Sequence, residues 1–311
     1  MHNRQGDGLP ARAALHPTGL YLAMSEIDPR ELRDPFMSET IARCKAPQAY
    51  THIAPGELGR APPGSAPAGL IFHVGRCGST LVSQLLKEPG ELVVYAEPQP
   101  VNEILQPPQP WPRQQLVGAL RSLAAAFARH ARRPYVLKLT SWNTLYAGIV
   151  AEAFPHSPWV FCLRDPVEVC VSLLQRPPGW LREPGVAQRF AAIVDPGQQS
   201  SSQEELMARV YGALCDGAAR LDPGRGRLVE YETLPAAIWR DVAPLFSLPV
   251  DVEARQRMAQ AATRHAKAPA TNAAPFAADS AAKQAAASAT LRQAIDALAR
   301  PAIERLRAIH R

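Results

Sequence analysis

LIFHVGRCGSTLVSQLL, residues Leu70 to Leu86, is the stretch whose reading decides the fold. An apolar run breaks at Gly75, and apolar residues resume at helical spacing after Thr80, which predicts a strand, a loop and a helix. Gly75 and Gly78 can take backbone conformations closed to other residues. Ser79 and Thr80 bring hydroxyls and free backbone N–H groups to the start of the helix, a place that suits a phosphate or a sulfate. The loop lacks the G-K-[S/T] ending of loops that hold nucleoside triphosphates. Its positive charge, Arg76, stands earlier, beside the first glycine.

Outward from this stretch, short apolar runs alternate with helical patterns: Leu92–Tyr95 then Gln114–His130, Tyr135–Leu139 then Trp142–Ala153, Trp159–Leu163 then Val167–Leu174. Such alternation predicts an α/β fold of three layers, a central parallel sheet flanked by helices, with ligands at the carboxyl ends of the strands. Glu204–Arg220 reads as a further helix, Arg227–Tyr231 as a further strand and Leu234–Phe246 as helical. Leu291, Ile295, Leu298, Ile303 and Leu306 fall at helical spacing interrupted by Pro301. Residues 1–68 read as a polar N-terminal appendage with one helix around Pro35–Cys44, ending in a Pro- and Gly-rich linker that begins at Pro55. Residues 69–311 read as the α/β domain. Pro98–Pro112 and Gln175–Gly197, rich in proline and glycine, read as long surface loops bordering an acceptor pocket.

The net charge of +6 does not mark a nucleic-acid binder. Residues 1–69 carry seven basic and seven acidic side chains, residues 70–263 nineteen and eighteen, and residues 264–311 eight and three, so the excess lies in the C-terminal tail. Five cysteines, odd in number and without a C-x-x-C pair, predict reduced thiols rather than a disulfide frame or a zinc site. No apolar run has the length of a signal peptide, and none approaches the ~20 residues of a membrane span, so the expected location is the cytoplasm. The Ala-, Arg-, Pro- and Gly-rich composition is that of a GC-rich bacterial genome.

A second informative stretch is Trp159–Leu174, WVFCLRDPVEVCVSLL. Arg164 stands at a strand end, Asp165 can cap a helix, and Pro166 fits its first turn. Ser172 follows two helical turns later. An Arg and a Ser so placed can grip one phosphate, although Arg164 can equally serve the fold by pairing with Asp165 or Glu168.

With both stretches in view, the chain resembles the sulfotransferases that use 3′-phosphoadenosine 5′-phosphosulfate (PAPS), a family with a P-loop-type fold. The likeness is strongest to the branch of tyrosylprotein sulfotransferases and their bacterial relatives, and it spans roughly residues 69–235. The resemblance implies that Gly75, Arg76, Cys77, Gly78, Ser79 and Thr80 hold the 5′-phosphosulfate, and that Arg164 and Ser172 hold the 3′-phosphate. It further implies that Glu97, after the second strand, takes the proton of the acceptor, and that Lys138, ending the third strand, steadies charge on the departing oxygen beside Arg76. The segment Tyr231-Glu232-Thr233-Leu234 resembles a recurrent Y-E-x-L of the family and reads as structural. No metal is implied, since these side chains can neutralise the charge.

Departures from the family pattern sharpen the assignments. Thr140 stands where cytosolic members carry a histidine, which moves the base to Glu97, with Glu103 as its rival. Arg264, His265 and Lys267 either stand in for the basic loop that closes over the donor or form a basic loop touching nothing. Cys77 lacks a companion base and reads as a small loop residue, and His73 as a packed strand residue. Lys138 has a structural reading beside its electrostatic one. The expected activity is sulfuryl transfer from PAPS to a hydroxyl or amine of a small molecule, carbohydrate or peptide. A small-molecule kinase using ATP and a non-catalytic nucleotide-binding protein are the alternatives.

Overall fold

The apolar runs of the sequence become a parallel sheet, and a second sheet forms ahead of it. The computed structural model describes residues 8–182, 184–197, 199–263, 266 and 279–310. Three strands, β1 (Leu9–His16), β2 (Gly19–Ser25) and β3 (Gln48–Ile53), precede five more: β4 (Gly69–His73), β5 (Val93–Ala96), β6 (Tyr135–Lys138), β7 (Trp159–Leu163) and β8 (Gly226–Glu230). The last five pair in the order β5-β6-β4-β7-β8, every neighbour parallel. All residues of β4 to β7 are buried, as a parallel sheet covered on both faces requires. The three-layer α/β architecture read from the sequence is therefore the observed one.

The strand order places the site. From β4 the chain runs to the β5 edge, returns through β6 and then crosses to β7 on the other side, so the direction of winding reverses at β4. In open parallel sheets that reversal opens a crevice at the carboxyl ends of the strands. The loop after β4 leaves the sheet at this carboxyl edge. Register adds a second fact: Ala96 pairs with Lys138, so Glu97, the next residue, comes beside the end of β6.

Six helices matter for the site and its supports: α1 (Met37–Cys44), α2 (Ser79–Leu85), α3 (Gln99–Leu105), α4 (Arg113–Ala131), α5 (Ala147–Ala153) and α6 (Pro166–Gln175). Asp165 caps α6 as its sequence suggests, accepting from the Val167 and Glu168 amides at 2.9 and 3.3 Å. The expected long loops are partly helical. Pro98–Pro112 contains α3, and Gln175–Gly197 contains helices Gly179–Arg182 and Pro184–Val194. Proline at a first helical turn breaks no hydrogen bond, so a Pro-rich stretch can still start a helix. Arg264, His265 and Lys267 lie outside the described residues.

The N-terminal residues hold more structure than a polar appendage with one helix. β1, β2 and β3 form an antiparallel sheet, and Leu9, Leu20, Leu22, Met24, Ile27 and Met37 join the same apolar core as the parallel sheet. Polar bonds fix this unit to the α/β body. His130 of α4 meets the Ile27 carbonyl at 2.7 Å, the Lys87 ammonium donates to the Asp34 carbonyl at 2.8 Å, and Ser122 Oγ accepts from the Gly59 amide at 2.9 Å. Glu103 of α3 accepts from Arg12 and, at 2.6 Å, from the Ala13 amide.

Lys87 makes this docking pH-sensitive. Its burial, with Lys138 adding like charge against the pull of Asp34, brings the ammonium down to about 8. Between that value and the ordinary 10.5 the unfolded chain holds a proton that the folded chain has lost, so stability rises with pH across this window. Lys87→Met removes the titration. In urea melts the wild type should gain on this variant by up to about 3 kcal/mol as pH goes from 8 to 10.5, and a constant difference would contradict it.

Candidate active site

The loop that leaves β4 is shaped by left-handed backbone. Gly75, Arg76 and Gly78 have φ of +81°, +53° and +81°; two are glycines, while Arg76 takes a conformation that opposes its Cβ. At Gly78 space is also short: a Cβ would stand 2.7 Å from Leu234 Cδ1 and 3.1 Å from the Tyr231 ring. The Y-E-x-L segment is therefore the wall against which the loop is pressed. Gly78 precedes α2 and gives it no capping side chain.

His73, at the end of β4, ties the loop to its surroundings. Its Nε2 lies 2.9 Å from the Leu139 carbonyl, which can only accept, so Nε2 carries the proton. Nδ1 then accepts from the Gly75 amide, at 3.0 Å. The same Nε2 stands 3.7 Å from Glu97 Oε1. One buried ring thus touches the loop, the end of β6 and the carboxylate after β5. Removing both bonds in His73→Leu should lower stability in urea melts by about 1–3 kcal/mol, and His73→Asn, which keeps an acceptor for Gly75, should recover part of it. Equal losses in the two variants would reject this positioning role.

Glu97 and Lys138 form an ion pair. Glu97 has φ of +52°, its amide donates to the Lys138 carbonyl at 2.7 Å, and its carboxylate accepts from Lys138 Nζ. The Lys138 side chain is 1% exposed and that of Glu97 24%, so the lysine is sealed while its partner opens to solvent. A buried ammonium needs such a partner. The Phe36 ring, from the N-terminal unit, lies 5.1 Å from Nζ. Glu103, the rival base, is occupied by Arg12 and the Ala13 amide.

Arg76 turns its guanidinium to the Arg176 carbonyl, at 2.6 Å, just past α6. Burial, and then the like charge of Arg176, lower its proton affinity. Cys77 is wholly buried, and burial pushes its thiol up, which disposes of it as a nucleophile. Ser79 and Thr80 are buried at the start of α2. Ser141 Oγ, just past β6, stands 3.6 Å from where a Cβ on Gly75 would be.

Arg164 is 5% exposed and well supplied with partners. Nε donates to Glu168 at 2.5 Å, and Nη2 to Asp279 at 2.8 Å and to Ser280 at 3.0 Å. Ser172, half-buried in α6, is not among them. The structural pairing with Glu168 foreseen as an alternative is present, whereas Asp165 is spent on its cap. Partial burial works against ionisation of Asp279, but Lys283 and Arg164 outweigh it and hold the carboxyl below its ordinary range. The Arg164 guanidinium lies 4.0 Å above the Tyr231 ring. Tyr231 therefore touches both Gly78 of the loop and Arg164.

No protein-family model matches the chain. No curated protein matches it in sequence. Among solved structures, similar chains include a sulfotransferase from Alicyclobacillus acidocaldarius, 14% identical with a TM-score of 0.46 over 78% of this chain and 95% of that one. The sulfotransferase domain of the Synechococcus PCC 7002 olefin synthase is 12% identical, with a TM-score of 0.44 over 80% and 97%. Sulfotransferase STF9 from Mycobacterium avium is 13% identical, with a TM-score of 0.41 over 66% and 69%. At these values the likeness carries no weight for chemistry, which rests on the residues themselves.

Among the described residues, no group of three or more His, Cys, Asp and Glu is placed to hold a metal ion, and no helix is long and apolar enough to cross a membrane. Sequence reasoning missed Phe36, Arg176, Asp279 and Ser280. None carries a motif; Phe36, Asp279 and Ser280 reach the site from segments remote in the chain, and Arg176 directly follows α6.

Proposed function

We propose that this chain is a sulfotransferase that moves a sulfuryl group from PAPS to a hydroxyl or amine. Tyr231 carries the reading. It packs against Gly78 of the loop and lies under Arg164, so loop and guanidinium, the two candidate anion-binding points, flank one ring past the ends of β4 and β7. A donor with phosphates at both its 5′ and 3′ ends matches two such points, and ATP, lacking a 3′-phosphate, leaves the second without use.

In this reading the loop N–H groups, Ser79, Thr80 and Arg76 hold the phosphosulfate, Cys77 being a small filler. Arg164, with Ser172 from α6, receives the 3′-phosphate as Asp279 gives way. Glu97 takes the acceptor proton as the new O–S or N–S bond forms and the bond from sulfur to the phosphate-bridging oxygen breaks. The leaving group is 3′-phosphoadenosine 5′-phosphate, and Arg76 and Lys138 offset the charge that gathers on its oxygen. The direct Glu97–Lys138 bond supports the pairing of base and electrophile, since a proton gained by Glu97 frees Lys138 to turn toward the departing oxygen.

The N-terminal unit, residues 1–68, and the α/β unit, residues 69–311, act together in this proposal. Turnover is tested with ³⁵S-labelled PAPS and a mixed panel of alcohols and amines. Label should move to an acceptor with release of the bisphosphate. Label that stays on the donor while the bisphosphate binds tightly would favour a non-catalytic nucleotide-binding role.

A further inference from the structure

The two edges of the N-terminal sheet differ. Its order, β1-β2-β3, leaves one outer edge on β1 and the other on β3. The Glu26 amide donates to the Pro47 carbonyl at 3.2 Å, in line with the β2–β3 register. Antiparallel pairs alternate between bonded and non-bonded, so Ala49, Thr51 and Ile53 bond to β2, while the N–H and C=O groups of Gln48, Tyr50 and His52 point away from the sheet. The same alternation turns the Ala13 amide outward on β1, which is where the Glu103 carboxylate meets it. α3 and α4 also pack along β1, so that edge is covered. Among the described residues no backbone group bonds to the outward side of β3. Open edges are ordinarily guarded by charges, proline or a bulge. β3, QAYTHI, contains no Lys, Arg, Asp, Glu or Pro, and its register with β2 does not shift. Tyr50 is 79% exposed, the most of any large apolar side chain described.

We infer that β3 pairs with β3 of a second copy of this chain, antiparallel about a two-fold axis at Tyr50. In that register Tyr50 exchanges both backbone bonds with the partner's Tyr50, and Gln48 exchanges them with the partner's His52, so every outward group of the strand is satisfied. The two Tyr50 side chains come side by side on one face as an aromatic pair. A two-fold axis sets the start of each strand against the end of the other. Lys45 stands before β3 and Glu57 after it, both exposed and in no ion pair among the described residues, so opposite charges approach at each end. Along the strand itself no like charges meet. A two-fold contact is closed, and with β1 covered the association stops at two chains, joined by one six-stranded sheet. A single pair of six-residue strands is smaller than a standard interface, so the dimer is weak, half-formed at about 10–100 µM. Pairing at this edge does not depend on what the α/β unit binds.

Sedimentation equilibrium of the full-length protein, loaded from about 1 µM to about 300 µM, should show the average mass climbing from that of one chain toward that of two, and no further. Tyr50→Lys and Tyr50→Glu each set like charges opposite one another and should each weaken the dimer about tenfold. Mixed in equal amounts, the two variants should recover most of the wild-type association, because position 50 of one copy then faces the opposite charge at position 50 of the other. Tyr50 is exposed enough that both variants should keep the wild-type urea midpoint, which separates lost pairing from lost folding. A wild type that stays a single chain throughout would overturn the pairing and leave the edge to a strand of another protein. A dimer as strong in both variants as in the wild type would overturn it too, as would a mixture no stronger than its components or growth beyond two chains.

Discussion

Glu97→Gln is expected to lower sulfuryl transfer by about 10²- to 10⁴-fold while leaving the affinity for 3′-phosphoadenosine 5′-phosphate within about twofold of the wild type. Gln keeps the shape of Glu97 and an oxygen that accepts from Lys138 Nζ, but it cannot take a proton. Alanine is the poorer test. It would leave Lys138, whose side chain is 1% exposed, as a buried charge without a partner, at about 3–5 kcal/mol, and lost activity could then reflect lost structure. Steady-state turnover and calorimetric titration, run together, separate the two effects. Turnover unchanged in Glu97→Gln would remove Glu97 as base. Glu103 could not readily replace it, being held by Arg12 and the Ala13 amide, so the proton would have to leave by way of the substrate.

Arg164→Lys should weaken bisphosphate binding by about 10- to 100-fold. A lysine offers a point charge in place of the planar fork that now spans Glu168, Asp279 and Ser280. Adenosine 5′-phosphate, which lacks the 3′-phosphate, serves as the control and should bind both proteins alike. Asp279→Asn should act in the opposite direction and tighten bisphosphate binding severalfold, because the carboxylate that competes for Arg164 has become neutral. If Arg164→Lys weakened both nucleotides equally, Arg164 would be a pin between α6 and the C-terminal residues and no phosphate ligand.

The parallel sheet was legible because its strands are buried on both faces and read as continuous apolar runs; Trp159–Leu163 is the same in sequence and structure. The cap Asp165 with Pro166 was legible because capping is local chemistry. β1 was not. Its inward Ala11 and Ala13 have weak β propensity, and its register shifts between Pro10 and Arg12. α3 and the helices within Gln175–Gly197 were hidden by prolines that fall at helix starts.

The same division runs through the site. Gly75, Gly78 and Glu97 follow directly from where strands end, and the left-handed backbone at all three is what a tight turn off a parallel strand demands. The pairing of Arg164 with Asp279 joins residues 115 positions apart, and that of Glu103 with the Ala13 amide joins residues 90 apart. No local pattern encodes such contacts. They arise only when the helices pack. His73 illustrates the cost of reading a strand residue by its burial alone, since the ring is packed and also bonded to the loop it precedes.

The central claim is that the crevice is built for a nucleotide phosphorylated at both ends. Calorimetric titration of the full-length protein with 3′-phosphoadenosine 5′-phosphate and, separately, with ATP·Mg tests it most directly. Tight binding of the bisphosphate that ATP·Mg neither matches nor displaces is the predicted result. Tight binding of ATP·Mg with no response to the bisphosphate would contradict it.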